Sequence, residues 1–456
     1  MRISIKLMAA IAVLAVINVC CVAAAADMIG GDGDGRDTSH ASTVSRLWVF
    51  GNANQDDRID SSDIDYLNGV IDGTNGENEL CDANHDGVVD SKDVDYLRRI
   101  IAAAENGTDE ITVWYIDSYL KVASVDWPVK SIAIGYCSGA YAADIAHVCS
   151  KVTMVDNTIK NYWSGMNSHF GSAASFGTTE NPDTEAMMRA GIDVYVVGYC
   201  DANADQITPS KLNPAGIDVM FLTTADNSGI DKPNEYIDRS FLMFAYLLQG
   251  DMDNAYAYLA WHDSVLSALK DAGSSVQDSD KASFIMARSS FQYQTSAISI
   301  TGHDNTNNIH AEWVGVHAVG QHSDALSKNY NSLNEEQVLG IISSEKSSSG
   351  YVYYMDNEHD GMRQQHTLEE CLAADAEMLS GADAYVHLMG MAREAGNSPM
   401  YVVELAFYQN VMYPELYSGI NWKSLFWEYY TFSEENYTGI IDIDRFFYDY
   451  GVVAKA

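Results

Sequence analysis

Residues 233–273 read PNEYIDRSFLMFAYLLQGDMDNAYAYLAWHDSVLSALKDAG. Apolar side chains recur at 237, 241, 244, 245 and 248, then at 255, 258, 259, 262, 265, 266 and 269, with His262 counted on the apolar face. That spacing is the period of two amphipathic helices. Gly250 interrupts the pattern, and Asp251 or Asp253 stands where the second helix needs a capping side chain. A second helix of roughly 20 residues is ~30 Å long. Crossing once between two halves of a molecule, it is a stiff strut that permits only small opening motions.

On both sides of this stretch, short apolar strand candidates alternate with helical patterns, which signals an α/β fold. Upstream, ITVWYI (111–116) and YLKVASV (119–125) suit a hairpin. KSIAIGY (130–136), VTMVD (152–156), DVYVVGY (193–199) and DVMFLT (218–223) read as buried strands, with helices expected over Ala140–Cys149 and Pro182–Ala190. Downstream, SFIMAR (283–288), AISITG (297–302), GYVYYMD (350–356) and AYVHLMG (384–390) form a second set. The expected division is a first lobe over 110–235, connecting helices over 236–272 and a second lobe over 273–456.

The chain has 456 residues, 47% hydrophobic and 20% charged, enough to bury a large core. Acidic residues number 64 against 26 basic ones, a net charge of −38. Such a surface repels phosphate backbones and anionic lipid, which argues against nucleic-acid and peripheral-membrane roles. With 28 Tyr against 13 Phe, many rings carry a polar tip suited to a wet cleft.

The N-terminus, MRISIKLMAAIAVLAVINVCCVAAAAD, reads as an export signal over residues 1–26. Arg2 and Lys6 precede an apolar run from Leu7 to Val19, and Ala23–Ala26 is a small-residue cleavage site; an uncleaved signal anchor is the alternative. A secreted or cell-surface protein follows. Beyond the signal, Cys81, Cys137, Cys149, Cys200 and Cys371 are sparse and odd in number. They make no disulfide scaffold and no CxxC metal pattern, leaving buried thiols or at most one or two bridges.

After a Gly-, Asp- and Ser-rich linker over 27–46 comes an internal repeat at 47–104. Asn52, Asn54, Asp56, Arg58, Asp60 and Asp63 precede IDYLNGVI, and Asp82, Asn84, Asp86, Val88, Asp90 and Asp93 precede VDYLRRII. Side-chain oxygens at loop positions 1, 3, 5, 9 and 12, with the backbone carbonyl of position 7 (Arg58 or Val88), are what Ca²⁺ needs. Two calcium ions are expected. Gly87 permits the sharp turn at position 6; Asp57 there, with Asn52 at position 1, makes the first site the weaker. TNGENELC (74–81) is too short and turn-rich for a helix entering the second loop, so each loop has only an exiting helix.

This duplicated loop-helix pattern, with its repeated DYL and position-12 Asp, resembles a type I dockerin. The resemblance implies a cohesin-bearing partner and assigns Ser61, Ser62, Ser91 and Lys92, at loop positions 10 and 11, as candidate cohesin contacts.

The remainder resembles the class III periplasmic binding proteins of ABC importers, the ferric-siderophore, haem and cobalamin branch. Trp127–Ile132 is similar to the family's "pPVkRIV" lead into the first lobe. Ala190–Val194 and Ala215–Val219 are similar to its "pDvVi … GIpVv" pair. Leu247–Gly250 with Ala255 resembles "LLG…A", Ser332–Leu339 "vs.EqvL", and Met412–Tyr417 with Glu428–Tyr430 "lyPelf … eFY". The chain departs from the pattern where "npDvIi" is usual; Gly340–Tyr351 intervenes there. The resemblance implies two Rossmann-like lobes joined by a long spine helix, behind a small all-α calcium-binding module. It also implies docking to an ABC permease through one acidic residue per lobe, here Asp205 and Glu336.

In two-lobed α/β binders the ligand sits beyond the strand carboxyl ends. The first lobe offers Tyr136, Ser138, Tyr141, Tyr162, Trp163 and Tyr199; the second offers Arg288, Phe291, Tyr293, His359, Arg363 and Arg393. Aromatic faces with a few Arg donors suit a bulky anionic metal chelate. Ferric siderophore leads, with corrinoid and haem behind. His303, His310, His317 and His322 invite a metal reading, but their spacings of 7, 7 and 5 do not match chelation on one helix, and packed histidines are the plainer reading. No GxSxG, Walker loop or GxGxxG after a strand occurs, and no catalytic cofactor is expected; the chain reads as a monomeric binder and not as an enzyme. The alternative is a structural module of a cohesin–dockerin complex that no longer transports. An exported hydrolase is the third reading.

Overall fold

In the computed structural model, Asp60 and Asp90 each end a loop by capping a helix. The structure describes residues 45–162, 167–179, 181–197, 208–222, 233–288, 297–303, 305–345, 351–358, 368–392, 395, 398–416 and 419–455. The expected signal and all but the last two residues of the linker therefore lie outside it. Helix α1 is Ser61–Ile71 and α2 is Ser91–Asn106. Both begin with reciprocal capping boxes, Asp60 with Asp63 and Asp90 with Asp93, which satisfy amides that the first turn leaves open. Between α1 and the second loop lies only the 3₁₀ turn Glu79–Cys81.

Strands β1 (Ile111–Ile116) and β2 (Val122–Trp127) form the expected hairpin. The chain ahead of the first loop adds to it: Phe50 N–H donates to Trp114 O at 2.9 Å and Ile116 N–H to Trp48 O at 2.9 Å. Leu47 and Val49 thereby enter the same apolar core as the larger sheets.

The first large sheet holds β3 (Ile132–Gly135), β4 (Val152–Val155), β5 (Ala174–Ser175), β6 (Val194–Val197) and β7 (Asp218–Phe221), in the order β5-β4-β3-β6-β7. Every pairing in it is parallel. Strands IAIG and VYVV are buried throughout, as central parallel strands covered on both faces must be. Helix α3 spans Cys137–Ile145, three residues earlier than its sequence pattern suggests. Tyr136, at φ 71°, turns the chain straight from β3 into the helix, and His147, at φ 55°, takes it out of helical conformation.

Helices α4 (Pro233–Leu247) and α5 (Met252–Ser274) then carry the chain to the second sheet. Asp251 is the cap, accepting from Asn254 N–H at 3.0 Å. Gly250 lies so close to α3 that a Cβ would stand 2.3 Å from Ala146 O, and at the other end a Cβ on Gly273 would stand 2.5 Å from Val314 C.

The second sheet contains β8 (Ser283–Arg288), β9 (Ile298–Thr301), β10 (His317–Ala318), β11 (Tyr330–Leu333), β12 (Tyr351–Glu358), β13 (Tyr385–Ala392) and β14 (Phe447–Ala454). Its order is β11-β9-β8-β12-β13-β14, with β10 beside β8. The centre, β8-β12-β13, is parallel, whereas β9, β11 and β14 run antiparallel to their neighbours. This mixed sheet departs from a purely Rossmann-like lobe. Strand β14 carries no clear apolar alternation because it is an edge, with shifts in its register and Gly451 at φ 93°. Val44–Ala456 groups as one compact unit. Cys81, Cys137, Cys149 and Cys371 are buried free thiols, the plainer of the two readings; Cys200 lies outside the described residues.

Helix α6 is Thr306–Trp313, α7 is Leu368–Leu379 and α8 is Tyr401–Met412. Residues 401–409 of α8 are all buried, although they include Glu404 and Gln409. Gln409 donates to Leu269 O at 2.7 Å and to Val314 O at 3.3 Å, tying α8 to the end of α5. Glu404 accepts from the Tyr408 hydroxyl, and burial pushes its carboxyl up from 4.5 to about 8. Its folded value exceeds its unfolded one, so its contribution is complete below about pH 4.5 and is lost as pH rises through about 8. Glu404→Gln keeps an acceptor for Tyr408 without the charge. In urea titrations at pH 5 and pH 9, we expect the variant to match the parent at the lower pH and exceed it by a few kcal/mol, on the order of the ionisation penalty, at the higher. Parallel pH profiles for parent and variant would remove Glu404 as the source.

Candidate functional site

The repeat loops and the strand ends are the two places where the described residues gather functional groups. In the second loop, Asp82 accepts from Asp86 N–H at 3.0 Å and from Gly87 N–H at 2.9 Å. Asn84 accepts from Asp86 N–H at 2.9 Å, Asp86 from Val88 N–H at 3.1 Å, and Asp93 from Asn84 and Asp90 N–H at 3.1 and 2.8 Å. Gly87, at φ 87°, makes the turn. Burial, with repulsion from Asp82 and Asp86, raises the Asp93 carboxyl. Lys92 is exposed and its ammonium stands 3.3 Å from both Asp86 and Asp90.

The first loop keeps the same backbone course. Asn54 N–H and Asp60 N–H donate to Asp63 at 3.1 and 2.9 Å, and Arg58 N–H to Asp56 at 3.1 Å. Asn52 is fully buried; its amide nitrogen donates to Ser45 Oγ and Leu47 O, which leaves its Oδ1 buried without a partner. Burial pushes Asp63 up to about 7. As placed, the described residues bring no three His, Cys, Asp or Glu side chains together around one point, because the carboxylates turn their lone pairs to loop amides. The donor chemistry nevertheless fits a hard cation: oxygens only, one orphaned acceptor, and buried carboxylates lacking compensating charge. Ser61, Ser62, Ser91 and Lys92 are all exposed.

At the strand ends of the first sheet, Asp156 organises the backbone, a residue with no motif to mark it. It is buried, and one oxygen accepts from Tyr136 N–H and Thr179 Oγ1, both at 2.9 Å, while the other accepts from Ile159 N–H at 2.8 Å. Tyr136 is half-buried at this turn. Ser138 and Tyr141 are not at a surface: both are buried in α3, with Tyr141 edge-on to Tyr429 at 6.4 Å. Their α3 positions point them into the core. Tyr162 ends the helix Asn157–Tyr162.

In the second sheet, Arg288 at the end of β8 stacks over Tyr330, 4.2 Å from the ring centroid, and donates to its hydroxyl at 2.9 Å. Near the ends of β12 and α7, Asp356 and Asp375 are buried together; burial raises Asp375 to about 6. Sequence reading passed over this pair, because each acid sits singly in its own apolar segment. Trp163, Tyr199, Phe291, Tyr293, His359, Arg363, Arg393 and the docking candidate Asp205 lie outside the described residues. Glu336 is exposed in the first turn of the helix Glu335–Ser344. His310 is packed against Trp313 and Tyr401, and burial pushes it down to about 3. His317 and His322 stack at 4.7 Å, paired with Glu345 and Glu312 respectively. Among the described residues, no helix is long and apolar enough to cross a membrane.

No protein-family model matches the sequence, and no curated protein matches it. Solved structures do share its fold. A TroA-like periplasmic binding protein, FepB, from Veillonella parvula is 10% identical with a TM-score of 0.51, the match covering 70% of this chain and 95% of that one. A periplasmic solute binding protein from the same organism is 11% identical, with a TM-score of 0.53 and coverage of 73% and 95%. The molybdate-binding MolA of Haemophilus influenzae is 12% identical, with a TM-score of 0.53 and coverage of 70% and 97%. The chain has a mixed α/β fold that it shares with these binding proteins.

Asp156 ties the Tyr136 turn to β4 and to the segment around Thr179. Asp156→Ala leaves those donors unpaired, and a loss of about 1–3 kcal/mol in chemical denaturation is expected. An unchanged unfolding midpoint would show that the turn holds itself.

Proposed function

We propose that this chain is the exported solute-receiving component of an ABC importer. In this reading its two lobes close on a bulky metal chelate, ferric siderophore first and corrinoid or haem next, and release it unaltered to the permease. The observation that carries the reading is the fold: the match extends over 95–97% of the binding proteins described above. A sheet on either side of the long helix α5 is consistent with it. Arg288, its guanidinium 4.2 Å over the Tyr330 ring at a strand end, supports the reading with a cation and an aromatic face of the kind that suits an anionic chelate. The loop-helix module is read as a dockerin that fills its loops with calcium and tethers the receptor to a cohesin-bearing partner through Ser61, Ser62, Ser91 and Lys92. Calcium there would neutralise the clustered carboxylates; Asn52, Asn54, Asp56, Asp60 and Asp63, and Asp82, Asn84, Asp86, Asp90 and Asp93, are the side chains that would hold it.

Titrating purified protein with a ferric catecholate, a corrinoid and haemin, read by intrinsic fluorescence, is expected to give saturable one-to-one binding with one of the three. Arg288→Ala is expected to weaken that binding about tenfold or more. Absence of binding to all three would overturn the chelate assignment. Glu336→Ala, by contrast, is expected to lower cellular uptake while leaving affinity unchanged; unaltered uptake would favour the non-transporting assembly reading.

A further inference from the structure

The first repeat loop does more than shape a cation site, because its outer side is fastened to helix α5. Tyr256 of α5 donates from its hydroxyl to Asp57 O at 2.8 Å. The Arg58 guanidinium lies over the same ring, 4.1 Å from its centroid. The Asp57 carboxylate reaches back to the preceding strap, accepting from Arg46 N–H and, at 3.0 Å, from Leu47 N–H. Arg46 in turn grips Asp263, two turns along α5 from Tyr256, with one guanidinium nitrogen 2.9 and 2.8 Å from its two oxygens. Asp57 and Arg58 are loop positions 6 and 7, and the carbonyl of Arg58 belongs to the oxygen set that a cation would use. A loop whose conformation a cation fixes and a contact that grips α5 are thus made from the same residues.

We propose that the first loop is a clasp whose closure is coupled to cation binding, so that calcium in the module also steadies the helix connecting the two sheets. The inference rests on the calcium reading given above and adds what occupancy regulates. The coupling is direct. Ordering positions 6 and 7 fixes where the Asp57 carbonyl and carboxylate and the Arg58 side chain stand, and those groups are what Tyr256 and the Arg46 strap hold. A module attached only by a flexible tether would bind its ions without consequence for the rest of the chain. Ions that bind only the closed form stabilise whatever that form holds in place.

Hydrogen exchange of the full chain, with mass-spectrometric readout, separates the cases. The chain is compared after chelation and after addition of calcium alone. In the parent, calcium is expected to slow exchange at least several-fold both in α1 (61–71) and in α5 (252–274). In Arg46→Gln/Tyr256→Phe, which removes none of the oxygens a cation would use, α1 is expected to keep its response while α5 loses it. Calcium protection of α1 with no change in α5 of the parent would overturn the coupling and leave the calcium reading intact. Equal protection of α5 in parent and variant would overturn the clasp as its route. No response in either helix would overturn the calcium reading, and the coupling with it.

Discussion

Helix α5 meets its neighbours backbone to backbone at both ends. At Gly250 the approach to Ala146 O leaves no room for a side chain, and Asp251 N–H uses the same carbonyl at 2.9 Å. At Gly273 the helix end rests on the turn at Val314 and Gly315. The first contact fixes the helix to α3 and hence to the first sheet; the second fixes it to the segment leading into β10 and the second sheet. Between them, Tyr258 donates to Pro399 O at 2.6 Å, and Leu269 O accepts from Gln409. A side chain at either glycine would displace one sheet relative to the rod that joins them.

The interior around this helix carries more ionisable groups than an apolar core needs. Glu404, His310 and Asp144 are all buried. Burial holds the acids protonated toward neutrality, Asp144 to about 7 and Glu404 to about 8, while it holds His310 neutral down to about 3. The two classes oppose each other. Buried acids favour the folded chain at lower pH, whereas His310 contributes fully above its unfolded value near 6.5 and loses that contribution as pH falls toward 3. A chain with this interior is most stable in mildly acidic to neutral surroundings.

Much of the architecture was legible because it rests on local periodicity. The hairpin, strands β3, β4, β6 and β7 of the first sheet, the β8, β9, β12 and β13 runs, the glycine break and the Asp251 cap all follow from burial and helix-end chemistry within a few residues. The two loop-helix units were legible because a capping Asp ahead of a helical period is a statement about one turn of chain. Strands β10, β11 and β14 were not, since edge strands bury only part of one face and β14 has an irregular register. At the strand ends, sequence reasoning chose Ser138 and Tyr141 for following β3, yet a helix that begins directly at the strand end carries both into the core.

What the sequence by itself determined is the chemistry of single segments: two oxygen-rich loops each feeding a helix, two sets of alternating strands and helices, and an amphipathic pair between them. Which of those segments touch was decided only in three dimensions. Asp156 becomes the anchor of the first sheet's strand ends because Tyr136 and Thr179, 20 and 23 positions away, bring their donors to it. Asp57 and Arg58 become a grip on α5 because Tyr256 lies 199 residues from Asp57 along the chain and 2.8 Å from it in space. Spacing along a chain encodes the periods of helix and strand; hydrogen bonds between distant segments depend on how those elements pack, which no local pattern specifies.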